Sequence, residues 1–223
     1  MNKKLEEKLL IASRKSLENP GKSLEPMPKF KKEGFSNLFV FRHAQSTDNV
    51  ERIFSGKRNP GLTQKGLEQA RALARKMEFL TINIGITSNL IRCKETLEIV
   101  LKNHPNSKFE VSDFLSERDY GDLTGKNKIE MAKRDPLLVA KYRRSYDFPP
   151  PNGESLKMVW ENRIKRFCVE IEEKISKTKL NIAVCGSNNS VRLIRMYFEK
   201  LSIETMLTLE NPTGQDYAQY AIK

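Results

Sequence analysis

The run Leu38-Phe39-Val40-Phe41, followed directly by Arg42-His43, decides the fold of this 223-residue sequence. Four consecutive apolar residues are typical of a strand that is buried on both faces of a parallel sheet. A cation and an imidazole stand where this strand ends. Because ligands of open α/β sheets bind beyond the carboxyl ends of the strands, the run predicts a buried strand with a polar pocket at its end.

Strands and helices alternate over the rest of the chain. A second apolar run, Ile182-Ala183-Val184-Cys185, is followed by Gly186-Ser187-Asn188, which gives a second candidate for the same pocket. Alternation of this kind predicts a mostly parallel sheet with helices on both faces. The other predicted strands lie near 84–86, 109–111 and 217–222, and the predicted helices near 63–77, 92–101, 156–175 and 190–201.

Residues 1–35 differ in pattern from the rest of the chain, and we treat them as an N-terminal extension ahead of a folded domain at 36–223. Leu5, Leu9 and Leu10 predict a short helix, which Asn19-Pro20-Gly21 ends. The Lys- and Pro-rich stretch 22–34 predicts a linker. The sequence leaves two roles open for the extension, a frayed tail and a docking helix for a partner.

Charge and hydropathy exclude several classes of protein. The chain has 40 Lys and Arg against 28 Asp and Glu, a net charge of +12. Such a surplus suits nucleic acid, an anionic membrane surface or phosphorylated small molecules. The basic residues are spread along the chain, so nucleic-acid binding is not expected. No apolar run reaches the roughly 18 residues of a transmembrane helix, and the N-terminus fits neither a signal nor a transit peptide, so no membrane partner is expected.

Cysteine and histidine usage bounds the compartment and the metal chemistry. Cys93, Cys168 and Cys185 each lie in an apolar periodic segment, which predicts reduced core cysteines in a cytoplasmic protein. His43 and His104 are the two histidines of the sequence, so no His-rich metal site is expected. His104 lies in a turn before a proline and is predicted to be at the surface.

The Arg42-His43 pair suits phosphoryl transfer. A neutral imidazole can attack a phosphoryl group, and a guanidinium can hold the phosphate oxygens in a fixed fork. Ser46 and Asn49 could add neutral donors. The alternative is that His43 is an ordinary loop residue whose ring is satisfied by its neighbours.

Further motifs follow this pair in order. They are Arg42-His43-Ala44-Gln45-Ser46 with Asn49, Phe54-Ser55-Gly56, Leu62-Thr63-Gln64-Lys65-Gly66, Ser88-Asn89-Leu90-Ile91-Arg92, Glu117-Arg118-Asp119-Tyr120-Gly121, Gly153-Glu154-Ser155-Leu156 and Pro212-Thr213-Gly214. Together they resemble the histidine phosphatase superfamily, from about residue 36 to the C-terminus. The resemblance implies a three-layer α/β/α sandwich.

Two later features narrow the resemblance. Asn127-Lys128 and Tyr142-Arg143-Arg144, the latter ahead of Pro149-Pro150-Pro151, are similar to the bisphosphoglycerate-dependent phosphoglycerate mutases. Adjacent arginines can bind a carboxylate or a phosphate bidentately. The alternative for Arg143 and Arg144 is a solvated pair at a helix end.

The resemblance implies a ping-pong transfer between 3- and 2-phosphoglycerate, with 2,3-bisphosphoglycerate as the priming donor and no metal. The implied substrate is a small phosphorylated carboxylic acid. His43 would be the nucleophile, Glu117 the acid and base, and Arg42 with Arg92 the phosphate-binding cations. The implied substrate-binding residues are Ser46, Asn49, Ser55, Gly56, Tyr120, Lys128, Arg143, Arg144 and Asn188.

One catalytic position departs from the family pattern. The strand before Ser187 ends in a second histidine in the family, and here Ser187 opens the run Ser187-Asn188-Asn189-Ser190-Val191-Arg192. Losing one donor to a transferring group costs about 10²–10³ in kcat. Three functions therefore stay open: a slow mutase, a phosphatase of small phosphorylated metabolites, and a pseudoenzyme that binds phosphorylated ligands or a partner. The oligomeric state is also open, with a homodimer as one option.

Overall fold

Six strands form one sheet in the computed structural model, which describes residues 3–21 and 25–223. The strands are β1 (Lys29–Phe30), β2 (Ser36–Arg42), β3 (Ile84–Thr87), β4 (Lys108–Val111), β5 (Ile182–Gly186) and β6 (Ala218–Ile222). Their order is β1-β6-β2-β5-β3-β4, and among these pairs only β2 with β6 is antiparallel. The predicted mostly parallel sheet is confirmed, and β2 and β5, which carry the two pocket candidates, are neighbours.

Helices cover both faces of this sheet. Phe39 and Phe41 of β2 pack in one cluster with Leu73 and Leu97, whereas Val40 packs on the opposite face, because successive strand side chains point to opposite faces. The result is the three-layer sandwich that the resemblance implied. The helices are α1 (Lys3–Glu18), α2 (Thr47–Val50), α3 (Gln64–Met77), α4 (Ile91–Leu101), α5 (Lys128–Arg134), α6 (Pro136–Arg144), α7 (Leu156–Val159), α8 (Lys165–Thr178), α9 (Asn188–Phe198) and α10 (Ile203–Thr208).

Local chemistry explains where several of these helices begin. The Thr63 hydroxyl accepts from the Gly66 N–H at 3.0 Å and so caps α3. Asp135 caps α6 in the same way, with Pro136 at the first helical position. The predicted helix over 156–175 is present as α7 and α8, which a π-helical turn at Trp160–Ile164 joins.

The N-terminal extension is packed onto the domain. In α1 the side chain of Leu9 is fully buried, and Glu6 pairs with Lys141 of α6 at 2.9 Å, so this helix is not a frayed tail. Part of the stretch expected to be a linker is ordered, because β1 pairs with β6 and Met27 is 3% exposed. Residues 22–24 of that stretch lie outside the described residues.

The prediction for the cysteines is confirmed and the prediction for His104 is not. All three cysteines are buried and unpaired, as predicted. The expected surface position of His104 is wrong, since this residue is 8% exposed. The neighbouring Asn103 amide donates to the Ala74 carbonyl at 3.3 Å, which ties the turn to α3.

In the part of the chain that the structure describes, no helix is both long and apolar enough to cross a bilayer.

Candidate active site

The carboxyl ends of β2 and β5 meet at the Arg42-His43 pair. The His43 N–H donates to the Gly186 carbonyl at 3.0 Å, and the Ala44 N–H donates to the Thr96 hydroxyl in α4 at 3.0 Å. These bonds hold the chain against α4, whose first turn carries Arg92. Two strand ends and one helix start therefore converge around a single imidazole.

The ring of His43 is buried and has a defined tautomer. Its Nδ1 lies 2.7 Å from the Ala44 carbonyl oxygen, which can only accept. The proton therefore resides on Nδ1, and Nε2 accepts from Nε of Arg92 at 3.3 Å. Burial, together with the charges of Arg92 and Arg42, lowers the pKa of His43 well below its ordinary value of 6.5. The ring is neutral, with a lone pair on Nε2.

Two arginines flank this imidazole, and each is held by other acceptors. Arg92 donates to the carbonyls of Arg58 at 2.9 Å and Gly56 at 3.4 Å. Arg42 donates through Nη1 to the Glu210 carboxylate at 3.1 Å and to the Asn211 carbonyl at 3.0 Å. Nε of Arg42 is buried and has no hydrogen-bond partner among the described residues, so this donor is unsatisfied in the described chain.

A carboxylate faces the same cavity from the loop after β4. Glu117 is 8% exposed and accepts from the Arg118 N–H at 2.8 Å. It also accepts from the Asn189 amide at 3.1 Å, and the same amide donates to the Tyr120 hydroxyl at 3.0 Å. Asn189 was not among the residues predicted from the sequence, although it stands inside the run that begins at Ser187.

Lys128 also lines the cavity. It donates to the Ile53 carbonyl, and its ammonium lies 5.1 Å from the centre of the Phe54 ring. Burial, together with the charges of Arg143 and Arg42, lowers its pKa to about 7. This lysine therefore changes charge near neutral pH.

Arg144 is bound within the protein instead of being solvated. It is 1% exposed and donates to the carbonyls of Leu207 at 3.2 Å and Leu209 at 2.8 Å. It also donates to the carboxylate of Glu210 at 2.6 Å. Nothing in the sequence signals this position of Glu210, since it lies in an aperiodic stretch after α10.

The N-terminal extension forms part of the cavity wall. Arg143 donates to the carbonyl and hydroxyl of Ser13 at 2.8 and 2.7 Å and to the Ser16 hydroxyl at 2.9 Å. Arg52 donates to the Leu17 carbonyl at 3.0 Å. Burial and the charge of Arg144 lower the pKa of Arg143 to about 10. The extension residues that line the cavity are Ser16, Leu17, Pro20 and Gly21.

Most of the residues singled out from the sequence line this one cavity. They are Arg42, His43, Asn49, Ser55, Gly56, Arg92, Glu117, Tyr120, Lys128, Arg143, Arg144 and Asn188. Two are not in its lining. Ser46 is fully buried, and its N–H donates to Asn49 at 3.2 Å. Ser187 is fully buried, with its hydroxyl 3.2 Å from that of Ser190. No group of three or more His, Cys, Asp or Glu among the described residues could hold a metal ion.

Comparison with known proteins gives relatives over most of the chain. A protein from Parvibaculum lavamentivorans called 2,3-bisphosphoglycerate-dependent phosphoglycerate mutase is 40% identical over 182 residues, which cover 79% of this chain and 86% of that protein. One of the same name from Nitrobacter winogradskyi is 39% identical over 184 residues, covering 79% of this chain and 87% of that protein.

Solved structures share the fold at lower identity. A mycobacterial glucosyl-3-phosphoglycerate phosphatase superposes with a TM-score of 0.71 at 18% identity, covering 82% of this chain and 89% of that one. The alpha-ribazole phosphatase of Shigella flexneri gives 0.69 at 20% identity, covering 83% and 95%. The model of the histidine phosphatase superfamily (branch 1) matches residues 38–217. With its motifs in order, its sheet and its buried histidine, this chain belongs to the histidine phosphatase superfamily.

Proposed function

We propose that this chain transfers phosphoryl groups through a phosphohistidine on His43 and interconverts 3- and 2-phosphoglycerate. The observation that carries the proposal is the imidazole itself, which is buried and neutral, with the lone pair of Nε2 next to Arg92. Glu117 lines the same cavity. The relatives named as phosphoglycerate mutases support the choice of substrate.

The chemistry divides into two balanced steps. In the first, a hydroxyl of the bound acid attacks the phosphohistidine, a new ester P–O bond forms, the N–P bond breaks and the Glu117 carboxylate takes the hydroxyl proton. In the second, Nε2 of His43 attacks the other phosphoryl group, an N–P bond forms and the ester P–O bond breaks, while Glu117 returns that proton to the leaving oxygen. Arg42 and Arg92 donate to the equatorial oxygens, where charge spreads in the transition state.

The charge of the cavity fits a polyanionic primer such as 2,3-bisphosphoglycerate. Its lining holds more cations, namely Arg42, Arg52, Arg92, Lys128, Arg143, Arg144 and Arg192, than carboxylates, which are Glu117 and Glu210. When bound, the primer supplies the phosphoryl group that first loads His43. Lys128 and Arg143, with the Tyr120 hydroxyl, would bind those anionic groups of the primer that do not lie next to His43.

Ser187 favours slow turnover. Its hydroxyl contacts Ser190 and lies outside the cavity lining, so it brings no charged donor to the transferring group. The same observation favours a second candidate, a protein that binds phosphorylated ligands without turning them over.

The test is conversion of 3-phosphoglycerate to 2-phosphoglycerate, primed with 2,3-bisphosphoglycerate, by the native chain, His43→Ala and Ser187→His. We expect slow native turnover, none in His43→Ala and a gain of about 10²–10³ in Ser187→His. Mass spectrometry of the primed native chain should find one phosphoryl group on the His43 peptide. An unphosphorylated His43 and three silent proteins would reject the mutase and leave the binding protein.

A further inference from the structure

Glu210 places a carboxylate among the cations of the cavity. Its Oε2 accepts from Arg144 at 2.6 Å and from Arg192 at 3.2 Å. Its Oε1 accepts from Arg42 at 3.1 Å and from the Asn188 amide at 3.4 Å. Its side chain is 16% exposed and lines the cavity. The carboxylate therefore accepts from three guanidinium groups that face a ligand site.

This carboxylate is ionised at any pH at which the protein would be assayed. Burial opposes its charge, but the charges of Arg144, Arg192 and Arg42 outweigh burial and lower the pKa of Glu210 to about 2. A ligand thus meets a permanent negative charge in the wall of a cavity where cations outnumber carboxylates.

Glu210 and the backbone also occupy many of the donors around it. Arg144 donates to carbonyls besides this carboxylate, among them those of Leu207 and Leu209. Nε of Arg192 donates to the Leu209 carbonyl at 2.9 Å. Of the three arginines, only Arg42 keeps a buried donor without a partner in the described chain. A second anionic group of a ligand would therefore meet three guanidinium groups whose positive charge Glu210 has reduced by one unit.

A ligand's phosphate can bind beside His43 and Arg92, where no carboxylate among the described residues pairs with the guanidinium of Arg92. A carboxylate or second phosphate that reaches toward Arg144 comes next to Glu210 and binds less tightly than the surrounding cations alone would allow, because like charges a few ångströms apart are costly inside a protein. A hydroxyl at the same place is not repelled and can donate to Glu210.

We propose that Glu210 is a specificity-determining residue, an internal anion that weakens the binding of phosphate esters with a second anionic group relative to esters whose remainder is neutral. The inference rests on the proposed function for the position of the ligand's phosphate. It predicts a high KM for phosphoglycerate in the native chain, an effect separate from the low kcat expected from Ser187.

The test compares two ligands that differ at one carbon, 3-phosphoglycerate with its carboxylate and glycerol 3-phosphate with a hydroxymethyl group. Calorimetry measures the Kd of each for the full chain and for Glu210→Gln, without primer. We expect Glu210→Gln to lower the Kd of 3-phosphoglycerate at least about tenfold and to change the Kd of glycerol 3-phosphate by less than about threefold. An equal change for both ligands, or weaker binding of 3-phosphoglycerate, would overturn the inference.

Glu199→Gln is the matched control. Glu199 is also a carboxylate held by an arginine, Arg195 at 2.7 Å, and its side chain is 9% exposed, but it lies outside the cavity lining. We expect its substitution to leave the ratio of the two Kd values unchanged, and a changed ratio would overturn the assignment to Glu210. If Glu210→Gln fails to fold because it leaves buried cations unpaired, the double variant Arg192→Gln/Glu210→Gln removes one charge of each sign, and a smaller shift of the ratio in the same direction is expected, because Arg42 and Arg144 are released from Glu210 while one cation is lost.

The two proposals fail separately. A His43 that primer does not phosphorylate, together with the expected shift in ratio, rejects the mutase and keeps the role of Glu210. A phosphorylated His43 with an unchanged ratio rejects the role of Glu210 alone. If neither ligand binds to any of the proteins, both proposals are rejected.

Discussion

Arg92 donates from Nε to Nε2 of His43 over 3.3 Å, so a permanent cation is hydrogen-bonded to the proposed nucleophile. The contact leaves the ring proton on Nδ1, and the charge of Arg92, together with burial, keeps the imidazole neutral. A guanidinium that would later face phosphate oxygens thus prepares the nucleophile before a substrate binds.

We expect His43 to stay unprotonated at pH values where a free histidine is charged. The lowered pKa of His43 means that the unfolded chain binds a proton near pH 6.5 that the folded chain does not. The free energy of unfolding should therefore fall as the pH drops through that value. NMR titration of the ring resonances measures the protonation of His43 in the folded chain, and His104→Gln distinguishes the two histidines.

Arg92→Gln should reverse part of this effect. Without the neighbouring charge the pKa of His43 should rise toward 6.5, and phosphorylation by primer should slow by about 10²–10³. The comparison needs the pH dependence of the phosphorylation rate in both proteins. A His43 that titrates identically in the two proteins would show that burial alone sets its pKa.

Lys128 should make ligand affinity depend on pH. Because its pKa is about 7, it loses its charge as the pH rises, and 3-phosphoglycerate should bind more weakly at about pH 8 than at about pH 6. Calorimetry at the two pH values should show a smaller change in Lys128→Met. Lys177→Met is the control, since Lys177 is exposed and pairs with Glu173 on the surface of α8. Parallel pH dependence in the native chain and Lys128→Met would contradict the prediction.

Asn189→Ala should lower kcat. The substitution removes the amide that bridges the Glu117 carboxylate and the Tyr120 hydroxyl, and losing a hydrogen bond to a charged group costs about 1.5–3 kcal/mol. Primed mutase assays should therefore show kcat lower by about tenfold or more. Asn162→Ala changes an exposed asparagine and should leave kcat unchanged. An unaltered kcat in Asn189→Ala would mean that Glu117 does not need this partner.

The extension should contribute to the stability of the whole domain. Leu9 is fully buried, whereas Ile11 of the same helix is 48% exposed. Leu9→Ala should lower the free energy of unfolding by about 2–5 kcal/mol, and Ile11→Ala by about 0.5 kcal/mol or less. Urea denaturation measures both. Equal and small losses would show that α1 is dispensable for folding.

The fold was readable from the sequence because its signals are local. Apolar runs such as Leu38-Phe39-Val40-Phe41 are visible without neighbours, and Thr63 marks the start of α3. The ends of β2 and β5 could be placed together because carboxyl ends of parallel strands share one edge of the sheet. This reasoning brought Arg42, His43 and the Ser187 segment to one place.

Several features of the site depend on long-range contacts that the sequence does not display. Glu210 resembles any solvated loop glutamate until α6 and α9 bring Arg144 and Arg192 against it. The contact of Ser13 with Arg143 joins residues 130 positions apart, and no periodicity reports such a pair. The burial of His104 likewise depends on the position of α3, which local sequence does not encode.

The serines of α1 that hold Arg143 stand outside residues 38–217, the span that matches the superfamily. The span that matches the superfamily therefore does not include the whole lining of the cavity in this protein. A chimaera built by exchanging only the matched span would carry the nucleophile but would lose one wall of its cavity. Two chains identical throughout that span could select different phosphate esters, so ligand preference here can diverge through a segment that a family match does not cover.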